Sequence, residues 1–306
     1  MLRHLAQRLA MIPIIILGVI TILFFIFKLV PGDEATLAAG ASATQAEIAA
    51  MRASLGLDQP VVWQYLGYLG GLLHGNLGYS STFRGNPFWP IAERIPATIR
   101  LMVAAITLTT VVGIPAGIIA GANQNRWPDH LISNAIVALL AIPNFWLGMI
   151  LTAVLSVRLG WLPSFGSDGW ASLVLPTVAL AARLIALVGR MTRGMVVEEM
   201  RKDYVRTAKA KGLPRQTVLI RHVLRNVLIP VVTVIGLQAG YLLGGSVVIE
   251  RLFAWPGIGD LMLTGVSARD FTLVQGTALF FVAGFLLINT GVELLYRVIN
   301  PRLRHG

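Results

Sequence analysis

Cysteine is absent from this chain of 306 residues. With no thiol there is no disulfide, no cysteine nucleophile and no thiolate metal site. Charge is scarce as well. Asp, Glu, Lys and Arg together make up 13% of the residues, against about 25% in ordinary soluble domains. Histidine is sparse and scattered, at His4, His74, His130, His222 and His305, and no two take the H-x-x-x-H spacing of a helical zinc pair. A nucleotide-binding P-loop is also missing. Lys28, Lys202, Lys209 and Lys211 are none of them followed by Ser or Thr, so no G-x-x-x-x-G-K-[ST] motif occurs. If ATP drives anything here, the motor is another polypeptide.

What is present is apolar: 56% of residues are hydrophobic and the mean hydropathy is +0.73. That composition predicts an all-α integral membrane protein. Six segments, 9–30, 101–122, 131–157, 173–189, 227–249 and 274–296, are apolar over lengths that suit a membrane crossing, which takes about 20 helical residues. An even number puts both termini on one side. Arg3 and Arg8 before the first segment, and Arg297, Arg302 and Arg304 after the last, put that side in the cytoplasm. The acids Asp33, Glu34, Glu47, Asp58, Glu93, Asp168, Glu250, Asp260 and Asp270 all fall in segments assigned outside. The net charge of +11 is thus explained by topology, and no nucleic-acid partner is expected. The first segment reads as a retained signal-anchor. Its uncharged run, 9–27, exceeds the roughly 7–15 residues of a signal-peptide core, although Ala38-Ala39-Gly40-Ala41 supplies the small residues a cleavage site needs.

Three regions follow: 1–30, a tail and first span; 31–100, an extracytoplasmic segment with short helices; and 101–306, a five-helix core that includes a basic loop at 190–226. In 31–100, Thr44-Gln45-Ala46-Glu47 is a capping box opening a short helix that Gly56 ends, and Pro60 starts a second helix over 61–73. Trp63, Tyr65 and Tyr68 on that helix suit a membrane interface, for packing or for docking. The outside loop 250–273, with Trp255-Pro256-Gly257-Ile258-Gly259-Asp260, is either a loop dipping toward a cavity or an ordinary turn.

Within spans, Arg183 is the outstanding ionisable group. It either faces the bundle interior and lines a pathway, or snorkels to the cytoplasmic face. Glu293 is expected to pair with Arg297 four residues on. Asn144, Gln238 and Asn289 could face a translocation cavity or bond between helices, and Gly236, Gly240, Gly244 and Gly245 allow close helix approach.

The basic loop is the most specific feature. Between 190 and 225 it holds ten Lys/Arg (Arg190, Arg193, Arg201, Lys202, Arg206, Lys209, Lys211, Arg215, Arg221, Arg225) against Glu198, Glu199 and Asp203. Residues 203–211 read as a short helix ended by Gly212, and Leu213-Pro214 restarts a helix that runs into the fifth span through Pro230. Arg190, Arg193, Arg221 and Arg225 are expected mainly to fix topology and meet anionic headgroups.

Arg206-Thr207-Ala208-x-x-x-Gly212 resembles the cytoplasmic E-A-A-x-x-x-G motif of permease subunits of binding-protein-dependent ABC importers. More narrowly, Asp203-Tyr204-Val205-Arg206-Thr207-Ala208-Lys209-Ala210-Lys211-Gly212 is similar to the form in the dipeptide/oligopeptide/nickel permease group. So are Leu224-Arg225-Asn226-Val227-Leu228-Ile229-Pro230, Trp255-Pro256-Gly257-Ile258-Gly259, Arg269-Asp270-Phe271, Pro31-Gly32-Asp33, Leu55-Gly56-Leu57-Asp58-Gln59-Pro60 and Gly75-Asn76-Leu77-Gly78-Tyr79-Ser80. The likeness covers nearly the whole chain. Arg206 stands where the general motif has an acid, and Pro230 lies farther from Gly212 than the general closing proline. Both departures resemble the peptide group.

This resemblance implies the type I ABC importer permease fold with six transmembrane helices and an extracytoplasmic segment between the first two. It implies a non-catalytic subunit in a bacterial or archaeal inner membrane, working with a second homologous permease, two ATP-binding subunits that hold ATP and Mg, an extracytoplasmic solute-binding protein and membrane lipid. The chain itself would carry no cofactor. By the same resemblance 203–211 is the coupling helix. Tyr204, Val205, Thr207 and Ala208 would pack into an ATPase groove, with Asp203, Arg206, Lys209, Lys211 and Gly212 framing them. Trp255, Pro256, Gly257, Arg269 and Asp270 would lie toward the binding protein. The cargo would be a dipeptide or oligopeptide, with glutathione and nickel chelates as alternatives of the same architecture. An intramembrane enzyme is disfavoured because no span carries a nucleophile–base pair or carboxylate dyad. A self-contained channel or secondary transporter is disfavoured because the basic loop belongs to one half only.

Overall fold

A computed structural model describes residues 2–30, 32–40 and 42–299, without the side chains of 2–9, Glu34, Glu293 and 295–299. Pro31, Arg302 and Arg304 lie outside the described residues, and the expected Glu293–Arg297 pair and the side chains of Arg3 and Arg8 lie outside the described side chains.

The helices in chain order are α1 (Leu2–Leu29), α2 (Glu34–Ala39), α3 (Gln45–Ser54), α4 (Val61–Leu73), α5 (Phe88–Ala92), α6 (Ile95–Leu108), α7 (Ile114–Ala122), α8 (Trp127–Ala141), α9 (Asn144–Leu151), α10 (Ala171–Glu199), α11 (Asp203–Ala210), α12 (Arg215–Thr217), α13 (Leu224–Leu252), α14 (Ile258–Ala268) and α15 (Phe271–Ile299). Wider π turns at Thr109–Gly113, Thr152–Arg158 and Val218–Val223 join or extend them. Among the described residues the only extended pairing is one bridge, Ser80 with Gly85.

Among the described residues, five helical stretches are long and apolar enough to cross a membrane, and six if the bent pair Trp127–Ala141 and Asn144–Arg158 counts as one crossing. The third segment was expected to be continuous over 131–157. It is broken instead, with a bend of 104°. The cause is local. Ile142, the residue before Pro143, sits at φ −87°, ψ 124°, the extended region that proline imposes on its predecessor, and Pro143 then opens α9 as its N-cap.

The chain divides into two compact units. The first comprises Met1–Thr98 and Pro256–Leu286. Its core gathers Leu77, Ile91, Ile258, Leu261 and Leu273. Gly276 lies against this core, and a Cβ there would stand 2.8 Å from Ile91 Cδ1. The expected capping box is present: Thr44 Oγ1 accepts from Glu47 N, and Thr44 N donates to Glu47 Oε2 at 2.7 Å. Asp33 caps α2, accepts from Thr36 Oγ1 at 2.7 Å and pairs with Arg52 of α3 at 2.7 Å. The Thr36 hydroxyl, with the Ala35 amide and Arg52, holds the Asp33 carboxyl below its ordinary range.

The second unit comprises Ile99–Trp255 and Leu287–Gly306, and α10 is its hub, packed against α7, α8, α9 and α13. Its most apolar window is 61% buried, against 11% for α1. Lipid tails are as apolar as leucine, so helices in a membrane associate through close packing rather than by escaping water. Here the close packing comes from Gly113, Gly117 and Gly121, a small-residue row with spacing four. A Cβ on Gly117 would lie 2.5 Å from both the Gly189 carbonyl oxygen and Thr192 Cβ, and one on Gly121 would lie 2.8 Å from Val196 Cβ. The glycines noted in the fifth span divide differently. Gly236 is closed by Val292, with Cγ1 2.6 Å from a Cβ position, whereas Gly244 has nothing within 4 Å.

Gly117→Val should therefore destabilise the α7–α10 crossing by about 1–3 kcal/mol through overpacking, while Gly244→Ala should leave the subunit's thermal midpoint unchanged. Thermal unfolding of the two variants in detergent measures the contrast.

Candidate functional site at the 190–226 loop

The basic loop folds as expected into a short helix, a turn and a second helical stretch. Lys202 provides the N-cap of α11, and Gly212 takes φ +78° just beyond its end, the left-handed conformation glycine adopts without steric cost. From Pro214 the chain enters α12, the π turn Val218–Val223 and then α13. Helix α11 packs on that π turn. Its inward face is Val205 and Ala208, at 0% and 6% exposure. Asp203, Tyr204, Arg206, Thr207, Lys209, Lys211 and Gly212 are exposed. The expectation that Val205 and Ala208 pack into another subunit is corrected here. Both are consumed by this chain's own core, because the i, i+3 pair is the only apolar stripe that can anchor so short a helix.

A buried carboxylate ties the two ends of the loop together. Glu199, the last residue of α10, is 7% exposed. It accepts hydrogen bonds from the Tyr204 hydroxyl, from Lys202 Nζ at 2.6 Å and from Asn226 Nδ2 at 2.9 Å. Asn226 Nδ2 also lies 3.1 Å from Tyr204 Oη. The end of α10, the start of α11 and the first turn of α13 thus share one polar cluster. Burial and then the bond to Glu199 push the Tyr204 hydroxyl above its ordinary range, and the same carboxylate raises Lys202. Sequence reading took Glu199 only as a counter-charge and Asn226 only as part of a motif. The Glu199–Lys202 spacing of three was the one signal available.

A second ion pair lies six residues earlier on α10. Arg193 grips Asp129 of α8 with two bonds, Nε to Oδ1 at 2.5 Å and Nη2 to Oδ2 at 2.8 Å. Asn125 N and Ser133 Oγ complete the carboxylate's partners at 2.9 and 3.2 Å. Arg193 was expected to be a topology marker. It is instead the bidentate partner of an aspartate only 1% exposed. Arg215 donates to the Ala122 carbonyl at the end of α7, and Arg201 reaches Gln124 Oε1 at 3.5 Å. Arg190, Arg221 and Arg225 remain exposed.

The other residues of interest lie on different elements. Arg183 on α10 is exposed, and Asn144, Gln238 and Asn289 are half-buried on α9, α13 and α15. No hydrogen bond joins any two of these four among the described residues. Of the residues expected to face a binding protein, Trp255 and Asp270 are 2% and 3% exposed and Gly257 is buried. Asp270 is structural. It accepts from Ser80 Oγ at 2.5 Å, Thr82 N at 2.9 Å and Leu273 N at 3.0 Å, capping α15 and holding the 80–85 hairpin. In this structure only Arg269, exposed at φ +55°, and in part Pro256 offer contact surface.

Among the described residues, several apolar helices long enough to cross a membrane and a short helix pinned between two of them mark a polytopic membrane protein. The chain belongs to the family of inner membrane components of binding-protein-dependent transport systems: that family's model matches residues 113–305, and the model of its N-terminal part matches 1–102. It is 42% identical over 307 residues, across 100% of both chains, to the glutathione transport system permease protein GsiC of Escherichia coli O6:H1 (strain CFT073) and of Escherichia coli K12. The same protein of Shigella boydii serotype 4 is 41% identical over the same span. Among solved structures, a chain of the MetNI methionine ABC transporter in inward-facing conformations matches with a TM-score of 0.59 at 17% identity, covering 69% of this chain and 97% of that one. The expected type I ABC importer permease fold is thereby shown, and the chain is a multi-pass permease subunit of a bacterial ABC importer.

Two outcomes follow from the polar clusters. Asp129→Asn should cost about 1.5–3 kcal/mol, the value of charged hydrogen bonds. Adding Arg193→Gln to it should cost less than the sum of the two single changes, as a double-mutant cycle in thermal unfolding would reveal. Glu199→Gln should free α11, raising amide exchange over 203–210 about tenfold for the loss of one charged hydrogen bond, with exchange in α7 unchanged.

Proposed function

We propose that this chain forms half of the translocation pathway of an ATP-driven importer of small peptides, with glutathione or a glutathione-like peptide as cargo. The observation that carries the cargo assignment is the 42% identity, without truncation on either side, to permeases of glutathione transport systems. Dipeptides and longer peptides remain the sister reading, since the motifs are shared across that permease group. A second permease, two ATP-binding subunits and an extracytoplasmic binding protein complete the assembly, and both termini lie in the cytoplasm.

Helix α11 is the coupling element. Its outward face, Asp203, Arg206, Thr207 and Ala210 at i, i+3, i+4 and i+7, is exposed and meets the ATP-binding subunit. Its inward face is locked to the ends of α10 and α13 through Val205, Ala208 and the Glu199 cluster. When the motor subunits close, α11 moves with them and carries both spans. Arg183 supports a pathway role for the exposed face of α10. A guanidinium inside a span costs about 2.5–3.5 kcal/mol unless water or a partner meets it. Set on an exposed face, Arg183 turns toward the second permease and the pathway, where it can receive a peptide carboxylate in bidentate fashion.

The test is reconstitution of the complete transporter in liposomes. Arg206→Glu combined with Ala210→Glu should lower substrate uptake by about tenfold or more, a coupling loss of at least 1.4 kcal/mol, while copurification with the permease partner persists. Unchanged uptake would remove α11 from the coupling role. Calorimetry on the cognate binding protein with reduced glutathione, a dipeptide and a nickel chelate decides the cargo, and tight binding of the chelate alone would refute the peptide reading.

A further inference from the structure

Helix α10 is the most enclosed of the candidate spans, and the residues it leaves uncovered fall in one stripe. Arg183, Arg190, Gly194 and Glu198 are its exposed residues, with Leu187 half-buried between the first two. Steps of seven, four and four residues keep them within about 80° of one another on a helix of 3.6 residues per turn. Gly194 has nothing within 4 Å of a Cβ position, so the track beside Arg190 is open. Neighbouring arginines of the basic loop are committed within the chain: Arg193 holds Asp129, Arg201 reaches Gln124 and Arg215 donates to the Ala122 carbonyl. Arg183 and Arg190 differ. Among the described residues no acid, carbonyl or amide meets either guanidinium.

Glu198 is the stripe's acid, and its charge acts on Lys202. It stands eight residues beyond Arg190, about 12 Å along the axis and on the side away from Arg183. The two arginines are therefore the charges that face outward along the inner part of the span. Helix α10 has 29 residues, about 43 Å of helix against a hydrocarbon core of about 30 Å. Arg183 lies about 18 Å from its first residue and about 24 Å from its last. It is inside the core wherever the core is set along the helix. At such depth a guanidinium meets water or a partner rather than acyl chains, which turns the stripe toward a hydrated space in the assembled transporter.

The spacing indicates what that space passes. Seven helical residues set the two arginine backbones about 10.5 Å apart, and an extended tripeptide spans roughly 10 Å. An ordinary peptide presents a carboxylate at one end and only an ammonium at the other, which a guanidinium repels. A γ-glutamyl peptide keeps the α-carboxylate of its first residue free, so it carries a carboxylate at each end. We propose that Arg183 and Arg190 form a paired site in the translocation pathway for a peptide of this doubly carboxylated kind, each guanidinium gripping one carboxylate in bidentate fashion. This substrate class rests on the importer reading and narrows it, and Arg190 becomes a specificity residue beside Arg183.

The experiment is ATP-driven uptake by the complete transporter in liposomes. The binding protein is saturated with reduced glutathione or with its glycine amide, which lacks one carboxylate, as checked by calorimetry. The unmodified transporter should import the amide about tenfold or more slowly, the order expected for one charged hydrogen-bonded contact. Arg183→Gln and Arg190→Gln should each slow glutathione by a similar factor. One of the two should leave amide uptake unchanged, because the contact it removes is already lost, and the other should slow it further. A variant that merely misfolds slows both ligands alike. Equal loss of both ligands in both variants would make the arginines structural and overturn the proposal. No loss in either variant would overturn it as well and leave the guanidiniums to lipid headgroups. Uptake of a dipeptide with neither glutathione ligand imported would overturn the paired site while the importer reading stands. Absence of ATP-driven uptake of all three would overturn both.

Discussion

Helices in lipid gain little by hiding apolar surface from one another, and the contact between α7 and α10 is where this chain meets that constraint. Gly117 and Gly121 bring the backbone of α7 against Gly189 and Val196 of α10, too close for a Cβ without a shift, and Gly113 just before α7 lies tightly against Ile185. Close approach multiplies dispersion contacts, and those are the attraction that lipid does not already supply. Because α10 is pinned on this side, its other faces can carry α8, α9 and α13. Two polar clusters of the second unit are built along the same helix. Arg193 reaches Asp129 on α8, and Glu199 at the helix end gathers α11 and α13.

That arrangement gives the short helix α11 a mechanical character its length alone would not supply. Eight residues form a marginal helix in water. Two apolar side chains and one buried carboxylate hold this one at the junction of two spans, and its outward face stays open. In the proposed importer a displacement applied to that face has no slack to absorb it, since Glu199 is bonded to residues of α11 and α13 at once. The broken third span and the three π turns show where the helices depart from regular geometry. One of those turns, Val218–Val223, is the surface on which α11 rests. Wider turns of this kind are common where helices serve a functional site.

The first unit shows how motif residues divide between surface and support. Asp270 stands within a motif that reads as a docking element, yet its carboxylate is spent on capping α15 and fixing the hairpin at 80–85. Gly257 is likewise buried. Beside Asp270 the same unit encloses a cavity with unmet donors and acceptors on Gln64, Tyr68 and Gln275. The polar chemistry of the unit therefore lies as much inside it as on its surface.

The sequence by itself determined the membrane class, the number and order of apolar segments, the short helix ended by Gly212 and the family. Each rests on composition, on local periodicity or on contiguous motifs, and such signals survive without knowledge of contacts. The bend at Ile142–Pro143 was in principle legible, since proline restricts its predecessor, but the apolar run across it gave no sign of 104°. Only the tertiary structure decided which charges matter. Arg193 and Asp129 are separated by 64 positions, and nothing in a basic loop distinguishes an arginine that meets a buried aspartate from one left in solvent. The inward turn of Val205 and Ala208, the burial of Asp270 and the convergence of Gln64, Tyr68 and Gln275 were hidden for the same reason. Each depends on which distant backbone lies opposite, and that is set by how closely the helices can pack rather than by the residues on either side in the chain.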